Sequence, residues 1–317
     1  MKKFAVLQLT GCSGCEVSLL NAEEWLDQYK LVYMPLVISA YDVPDVDVLL
    51  VSGSLRSDEN LYDLRRAARQ AKKVVALGTC ATSWASSMGD RTDPQQSYSP
   101  SGERYHLPRR LPRSRQIDSV VTVDLYLPGC PPTPELIIAA LFDPPGFNPA
   151  ASVCQECGRK KVKDMRPTHL VGFLKGDVLP EVCLINQGFL CIGTSTRGGC
   201  RALCTRAGHP CVGCRGPSDA FIERESQAWF NAIQRVFTAM TDIPAEEIKA
   251  NLHSPQLSMF LFQFSDYASS EVLANADIEH PADKDHPADK EHPSEHRQDA
   301  QHPPDAHTPA RSKEKVL

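Results

Sequence analysis

The chain has no run of 18 or more apolar residues, so no segment is expected to cross a bilayer as a helix. It has no strong excess of charge: a net −5 over 317 residues makes no electrostatic case for nucleic acid or an anionic membrane as partner. An export signal is also missing from the expected pattern. The opening MKKFAVLQLTGC joins two lysines to a short apolar run, but the run stops at Gln8 and leads straight into a cysteine pair. It reads as a first strand. The chain is therefore expected in the reducing cytoplasm, where cysteines serve as metal ligands or catalysts more often than as disulfides.

What the chain does have is cysteine. Twelve residues fall into three groups of four, each holding one C-x-x-C pair. The groups are Cys12, Cys15, Cys80 and Cys130; Cys154, Cys157, Cys183 and Cys191; and Cys200, Cys204, Cys211 and Cys214. Four thiolates are what a cubane iron–sulfur cluster or a structural zinc ion requires. A C-x-x-C turn offers two of them from one corner, and Gly14 and Gly213 inside two of these turns remove a Cβ that would obstruct it. Zinc uses the same ligands. The first group, however, is spread over the chain as single residues plus one pair, unlike a zinc ribbon. Three such groups in one chain suggest a relay of electrons.

The first half alternates strands and helices. Strand patterns fall at residues 3–9, 34–39, 47–51, 73–77 and 119–123, and helical patterns at 17–29, 58–72 and 135–141. Such alternation predicts an α/β fold, with a parallel sheet built by right-handed crossovers. Cys12, Cys15, Cys80 and Cys130 each follow a strand pattern. The carboxyl ends of the strands in an open α/β sheet share one edge, where ligands bind. Cysteines remote in sequence are therefore expected to converge there. Between Ser86 and Asp118 runs a polar insertion carrying Arg104, Arg109, Arg110, Arg113 and Arg115, read either as a solvated loop or as a surface for an acidic partner.

From about Ala150 to Pro217 short cysteine- and glycine-rich segments replace periodic ones, and metal ligation is expected to supply much of the folding energy. Helical patterns resume at 219–240, with Phe221, Trp229, Ile233 and Phe237 roughly on one side, and at 245–252. From Asp277 the chain repeats HPADKDHPADKEHPSEH without an aromatic residue, a composition that cannot bury enough surface to fold alone. The expected organisation is an α/β parallel-sheet domain at 1–149, an irregular cysteine-rich domain with helices at 150–268 and a disordered His/Pro/acidic tail at 269–317.

The motifs GCSGCE (11–16), GTCA (78–81) and PGCPPTPE (128–135), in this order, resemble the small subunit of nickel–iron hydrogenases. PGCPPTPE is also similar to a motif in a cluster subunit of respiratory complex I, a relative that lacks the second half seen here. In exported hydrogenases the family has His-x-x-Cys where this chain has Cys154 and Cys157. Those enzymes have three medial cysteines where this chain has a fourth, Cys204, ahead of HPCVGCRGP (209–217). Both departures, with the missing twin-arginine leader, make the chain resemble the cytosolic classes: methyl-viologen-reducing, heterodisulfide-reductase-linked and NAD(P)-linked.

The resemblance implies a flavodoxin-like first domain and three 4Fe–4S clusters. The proximal one is held by Cys12, Cys15, Cys80 and Cys130, the medial by Cys200, Cys204, Cys211 and Cys214, and the distal by Cys154, Cys157, Cys183 and Cys191. It further implies a nickel–iron centre in a separate large subunit and a further acceptor subunit or ferredoxin-like carrier. The implied activity is hydrogen:acceptor oxidoreduction, to which this chain contributes electron transfer and no catalytic residue. Glu16 has two readings, a proton relay toward the large subunit or an acidic first-turn residue favoured by the helix dipole. The competing functions are a cluster subunit of a complex I-like quinone oxidoreductase and a zinc-stabilised interaction module.

Overall fold

The computed structural model describes residues 1–83, 108–142, 151–172, 177–216, 218 and 228–253. Met1–Leu273 and Ala274–Leu317 form two units, the second wholly outside the described residues. Arg104, Phe221 and the His/Pro/acidic tail also lie outside them, as do the side chains of Arg110, Arg113 and Trp229.

Five strands form one parallel sheet: β1 (Lys2–Gln8), β2 (Tyr29–Tyr33), β3 (Val48–Ser52), β5 (Val74–Leu77) and β7 (Leu125–Leu127), in the spatial order β2-β1-β3-β5-β7. A short antiparallel pair, β4 (Leu55–Ser57) with β6 (Arg110–Arg115), stands beside it. The helices of this half are α1 (Gly14–Leu20), α2 (Asp58–Arg69), α3 (Thr79–Ser83) and α4 (Pro134–Phe142).

Successive strand residues point to opposite faces, and both faces are covered, so the strands are apolar throughout rather than alternating. Phe4, Val6, Leu50, Val75 and Leu77 pack on one face against Leu19 of α1 and Leu136 and Ile137 of α4. Ala5, Leu7, Leu49, Val51, Val74 and Ala76 pack on the other against Leu64 and Ala67 of α2 and Ala81 of α3. Two helical layers thus clamp the sheet and fix where its strands end.

Three element boundaries differ from the sequence expectation. The helix expected over 17–29 ends at Leu20, where the Asn21 N–H bonds the carbonyls of Leu19 and Val17. Trp25 nevertheless stays buried, its indole donating to the Leu19 carbonyl (3.0 Å), which explains why the pattern looked helical. The second strand precedes residue 34: Pro35 has no N–H for a ladder, and the N–H groups of Val37 and Ile38 both turn back to the Met34 carbonyl. The last strand falls at Leu125–Leu127 instead of 119–123. There Asp124 accepts from the Val74 N–H (2.7 Å) and sets the register, while Ile117–Ser119 form a 3-10 turn. Strand β6 lies inside the insertion read as a solvated loop or a partner surface, and its pairing with β4 had no sequence signal.

The cysteine-rich region carries an apolar core of its own, against expectation. Val153, Leu184, Ile185, Phe189, Leu190 and Ile192 pack with Ile233 and Phe237 of α7 (Ala228–Met240) and Ile248 of α8 (Ala245–His253). Asn186, buried at the centre, donates to the carbonyls of Val162, Met165 and Met240 and accepts from the Val162 N–H. Arg166 closes the end of α7 by donating to the carbonyls of Ala239 and Thr241. The helices after residue 217 therefore complete the core of the cysteine-rich region.

Leu50 is 1% exposed at the centre of the sheet. Leu50→Ala is expected to lower stability by about 2–5 kcal/mol, read as a fall in the urea midpoint at unchanged slope. An unchanged midpoint would contradict the packing of this face.

Candidate metal centres

The first quartet is assembled by strand ends. Cys12 and Cys15 follow β1, Cys80 sits in the first turn of α3 just after β5, and Cys130 follows β7. All three loops are stitched to one another. The Gly78 N–H bonds the Leu127 carbonyl (2.9 Å), the Thr79 N–H bonds the Gly129 carbonyl (2.9 Å), and the Gly129 N–H returns to Thr79 Oγ1 (3.1 Å). Ser18 of α1 donates to the Pro132 carbonyl (2.5 Å), tying the Cys15 helix to the Cys130 loop.

The four thiols are electrostatic neighbours. Burial, then Glu16, then Cys80, Cys130 and Cys12 push the Cys15 thiol far above its ordinary range. Burial and the proximity of Cys80 and Cys12 push Cys130 up to about 11. Gly78 has a φ of +84°, and a Cβ there would fall 2.3 Å from Cys15 Sγ, so only glycine leaves room for this sulfur. Within the first C-x-x-C the left-handed residue is Ser13 (φ 64°), held by Gln8 Nε2 donating to its Oγ (2.5 Å), and not Gly14. Gly213 in the other turn does take a positive φ, 79°.

Glu16 is 1% exposed, and Ser52, at the end of β3, donates a short hydrogen bond to its Oε1. Its Oε2 has no hydrogen-bond partner among the described residues. Ser52 was missed in the sequence, where only the Ser52-Gly53-Ser54 run closing a strand marked the position.

In the second quartet Cys154 and Cys157 lie on α5 (Val153–Cys157). Cys183 is brought to them by its N–H bonding the Lys160 carbonyl (2.8 Å). Arg159 fixes the surrounding loops by donating to the carbonyls of Thr205 (2.6 Å), Leu179 (2.7 Å) and Val182 (3.0 Å). Burial, with Cys183 and Cys157 close by, raises Cys154 to about 11, opposed by Lys161. Burial raises Cys191 to about 12, with Cys154 and Cys183 among its neighbours.

The third quartet lines a pocket of about 20 Å³, where Cys200, Cys204, Cys211 and Cys214 face Thr196 and Arg215. Cys204 is carried by α6 (Leu203–Arg206). Burial lifts Cys214 to about 11 and Cys211 well above its ordinary value. Two hydrogen bonds join the quartets in series. Thr79 Oγ1, beside Cys80, donates to the Cys214 carbonyl (2.6 Å), and the Cys211 N–H bonds Cys191 Sγ (3.2 Å).

All twelve cysteines are free. A buried thiol with a raised pKa carries its negative charge at neutral pH only when a cation binds the sulfur, and metal coordination deprotonates thiols outright. Among the described residues no group of three or more His, Cys, Asp or Glu is arranged to hold a single metal ion. All-thiol donor sets, with Gly78 where a side chain would displace the Cys15 sulfur, fit an iron–sulfur group.

This fold and donor set define an iron–sulfur electron-transfer subunit. The pattern of the family described as NADH ubiquinone oxidoreductase, 20 Kd subunit, matches residues 12–143, the stretch that carries the first quartet. A subunit of the vhu F420-non-reducing hydrogenase of Methanococcus voltae is 32% identical over 247 residues, covering 71% of this chain and 85% of that protein. The delta chain of sulfhydrogenase 2 of Pyrococcus furiosus is 29% identical, over 80% of this chain and 98% of its own length. The iron-sulfur subunit of the F420-non-reducing hydrogenase of Archaeoglobus profundus is 29% identical, over 68% and 82%. The chain belongs to the family of nickel–iron hydrogenase small subunits. Among the described residues no helix is long and apolar enough to cross a membrane.

Gly78→Ala is expected to displace Cys15 and deplete the first quartet of metal, seen as lower iron content and weaker visible absorbance in anaerobically purified protein. Wild-type iron in this variant would show that the Cys15 sulfur does not belong where Gly78 makes room for it.

Proposed function

We propose that the three quartets hold three 4Fe–4S clusters, through which this subunit relays electrons between hydrogen turnover in a large catalytic subunit and a separate acceptor. The observation that carries this reading is the serial hydrogen bonding of the quartets: Thr79, beside Cys80, to Cys214, then Cys211 to Cys191. It supports the order Cys12–Cys15–Cys80–Cys130 (proximal), Cys200–Cys204–Cys211–Cys214 (medial) and Cys154–Cys157–Cys183–Cys191 (distal). When bound, such clusters supply one-electron carriage at potentials set by charge, hydrogen bonds and exposure.

The chain's own residues provide the remainder. Cys12 and Cys130 are exposed at the proximal edge, beside Val17 and Leu20 of α1, which are 51% and 38% exposed. Exposed thiols flanked by apolar side chains suit a face covered by the large subunit, with the nickel–iron centre on its far side. Glu16 is our candidate proton carrier at this edge, because its buried carboxylate has one oxygen free of hydrogen-bond partners among the described residues. At the other end, exposed Lys160 and Lys161 follow Cys157, a suitable approach for an acidic acceptor subunit or ferredoxin-like carrier. We place the division between the flavodoxin-like and iron–sulfur domains near residue 150 and the start of the tail near 269. The cysteine usage supports work in the cytoplasm.

Anaerobically purified complex should contain about twelve irons per copy of this chain, with matching sulfide. Cys80→Ser should lose or convert one cluster and cut H2-driven dye reduction by at least tenfold. Undiminished dye reduction in that variant would remove the proximal assignment, and colourless protein carrying zinc would remove the cluster assignment altogether.

A further inference from the structure

Arg215 follows Cys214 directly, and its guanidinium is enclosed: the residue is 4% exposed. Its Nε donates to the Gly198 carbonyl (2.7 Å), and its Nη1 makes a short bond to the Pro128 carbonyl. Pro128 opens the loop that carries Cys130, so one side chain reaches from the third quartet to the first. Among the described residues no carboxylate forms an ion pair with it. Cys200, Cys204 and Cys214 line one pocket with it, and the opposite charges acting on it are, in order of strength, Cys200, Cys214 and Glu156, while Arg197 opposes it. Glu156 makes the weakest of these three attractions; its Oε1 accepts from the Gly199 N–H, and its Oε2 has no hydrogen-bond partner among the described residues.

A buried cation costs several kcal/mol unless negative charge compensates it. Two neutral carbonyls do not supply that charge, whereas thiolates of Cys200 and Cys214 do. The chain has therefore placed a permanent positive charge, one that cannot lose its proton, against the second site of the relay. A cation held in a low-dielectric interior favours whichever redox state is more negative. Electron transfer from the proximal to the medial site oxidises the first by one electron and reduces the second by one, with no heavy-atom bond made or broken. The electron comes from hydrogen oxidation.

We propose that Arg215 is a potential-setting residue, whose buried guanidinium raises the midpoint of the centre held by Cys200, Cys204, Cys211 and Cys214 and draws electrons onto it from the proximal site. The inference rests on the cluster assignment proposed above.

The test is an EPR-monitored redox titration of the anaerobic complex, with iron counted in each sample, for wild type, Arg215→Gln and Arg215→Lys. The medial midpoint should fall in Arg215→Gln with the other two unshifted, and should stay within error of wild type in Arg215→Lys, which keeps the charge. A fully loaded Arg215→Gln with an unshifted medial midpoint overturns the proposal. If Arg215→Gln loses medial iron, Arg215→Lys decides: full loading at the wild-type midpoint upholds the role of charge. A lowered midpoint or lost iron in Arg215→Lys overturns it, leaving Arg215 a hydrogen-bonding strut. A wild-type complex with no medial signal instead overturns the cluster assignment, and this inference with it.

Discussion

Sulfur taken out of water governs this structure. A thiol buried beside other thiols resists ionisation, through desolvation above all with the neighbouring thiols adding to it, and Cys15, Cys191, Cys211 and Cys214 all show this shift. Gathering such groups is unfavourable for folding unless a cation joins them. The protein meets that cost by building each gathering on backbone geometry that is stable for other reasons. At the first quartet those reasons are the clamped parallel sheet and the hydrogen bonds among the Gly78, Thr79 and Gly129 loops.

The second half solves the same problem with less regular structure. Few of its backbone groups belong to ladders, so buried side chains satisfy carbonyls instead. Arg159 binds three, Arg166 caps a helix, and Asn186 occupies the centre of its loops. Each is a local substitute for a sheet. Together with Ile233 and Phe237 of α7 they give the cysteine-rich segments a framework that does not depend on metal alone.

Much of the sheet was legible in the sequence because its strands are buried on both faces and read as unbroken apolar runs: KFAVLQ, DVLLV and KVVAL. The first quartet was legible for a related reason, since cysteines that follow strand patterns must share an edge. What the pattern could not convey was register. Leu125–Leu127 is a strand because Asp124 bonds Val74 across the sheet, a contact fifty residues distant. The helix expected to continue to residue 29 stopped early because Trp25 reaches the same core from a turn. Ser52 and Arg215 were invisible for a similar reason: a serine closing a strand and an arginine after a cysteine acquire meaning only from the carboxylate or carbonyl that tertiary structure brings to them. The apolar core of the second half was underestimated because its helices lie after the last cysteine.

The central claim is that sulfurs from remote segments meet as three separate cages for iron. An anaerobic crystal structure of the complex, located by iron anomalous scattering, tests it most directly. The account predicts three distinct iron peaks in this subunit, the first enclosed by Cys12, Cys15, Cys80 and Cys130 and the middle one beside Arg215. A first peak that excludes Cys130, or anomalous signal at the zinc edge instead of the iron edge, would contradict it.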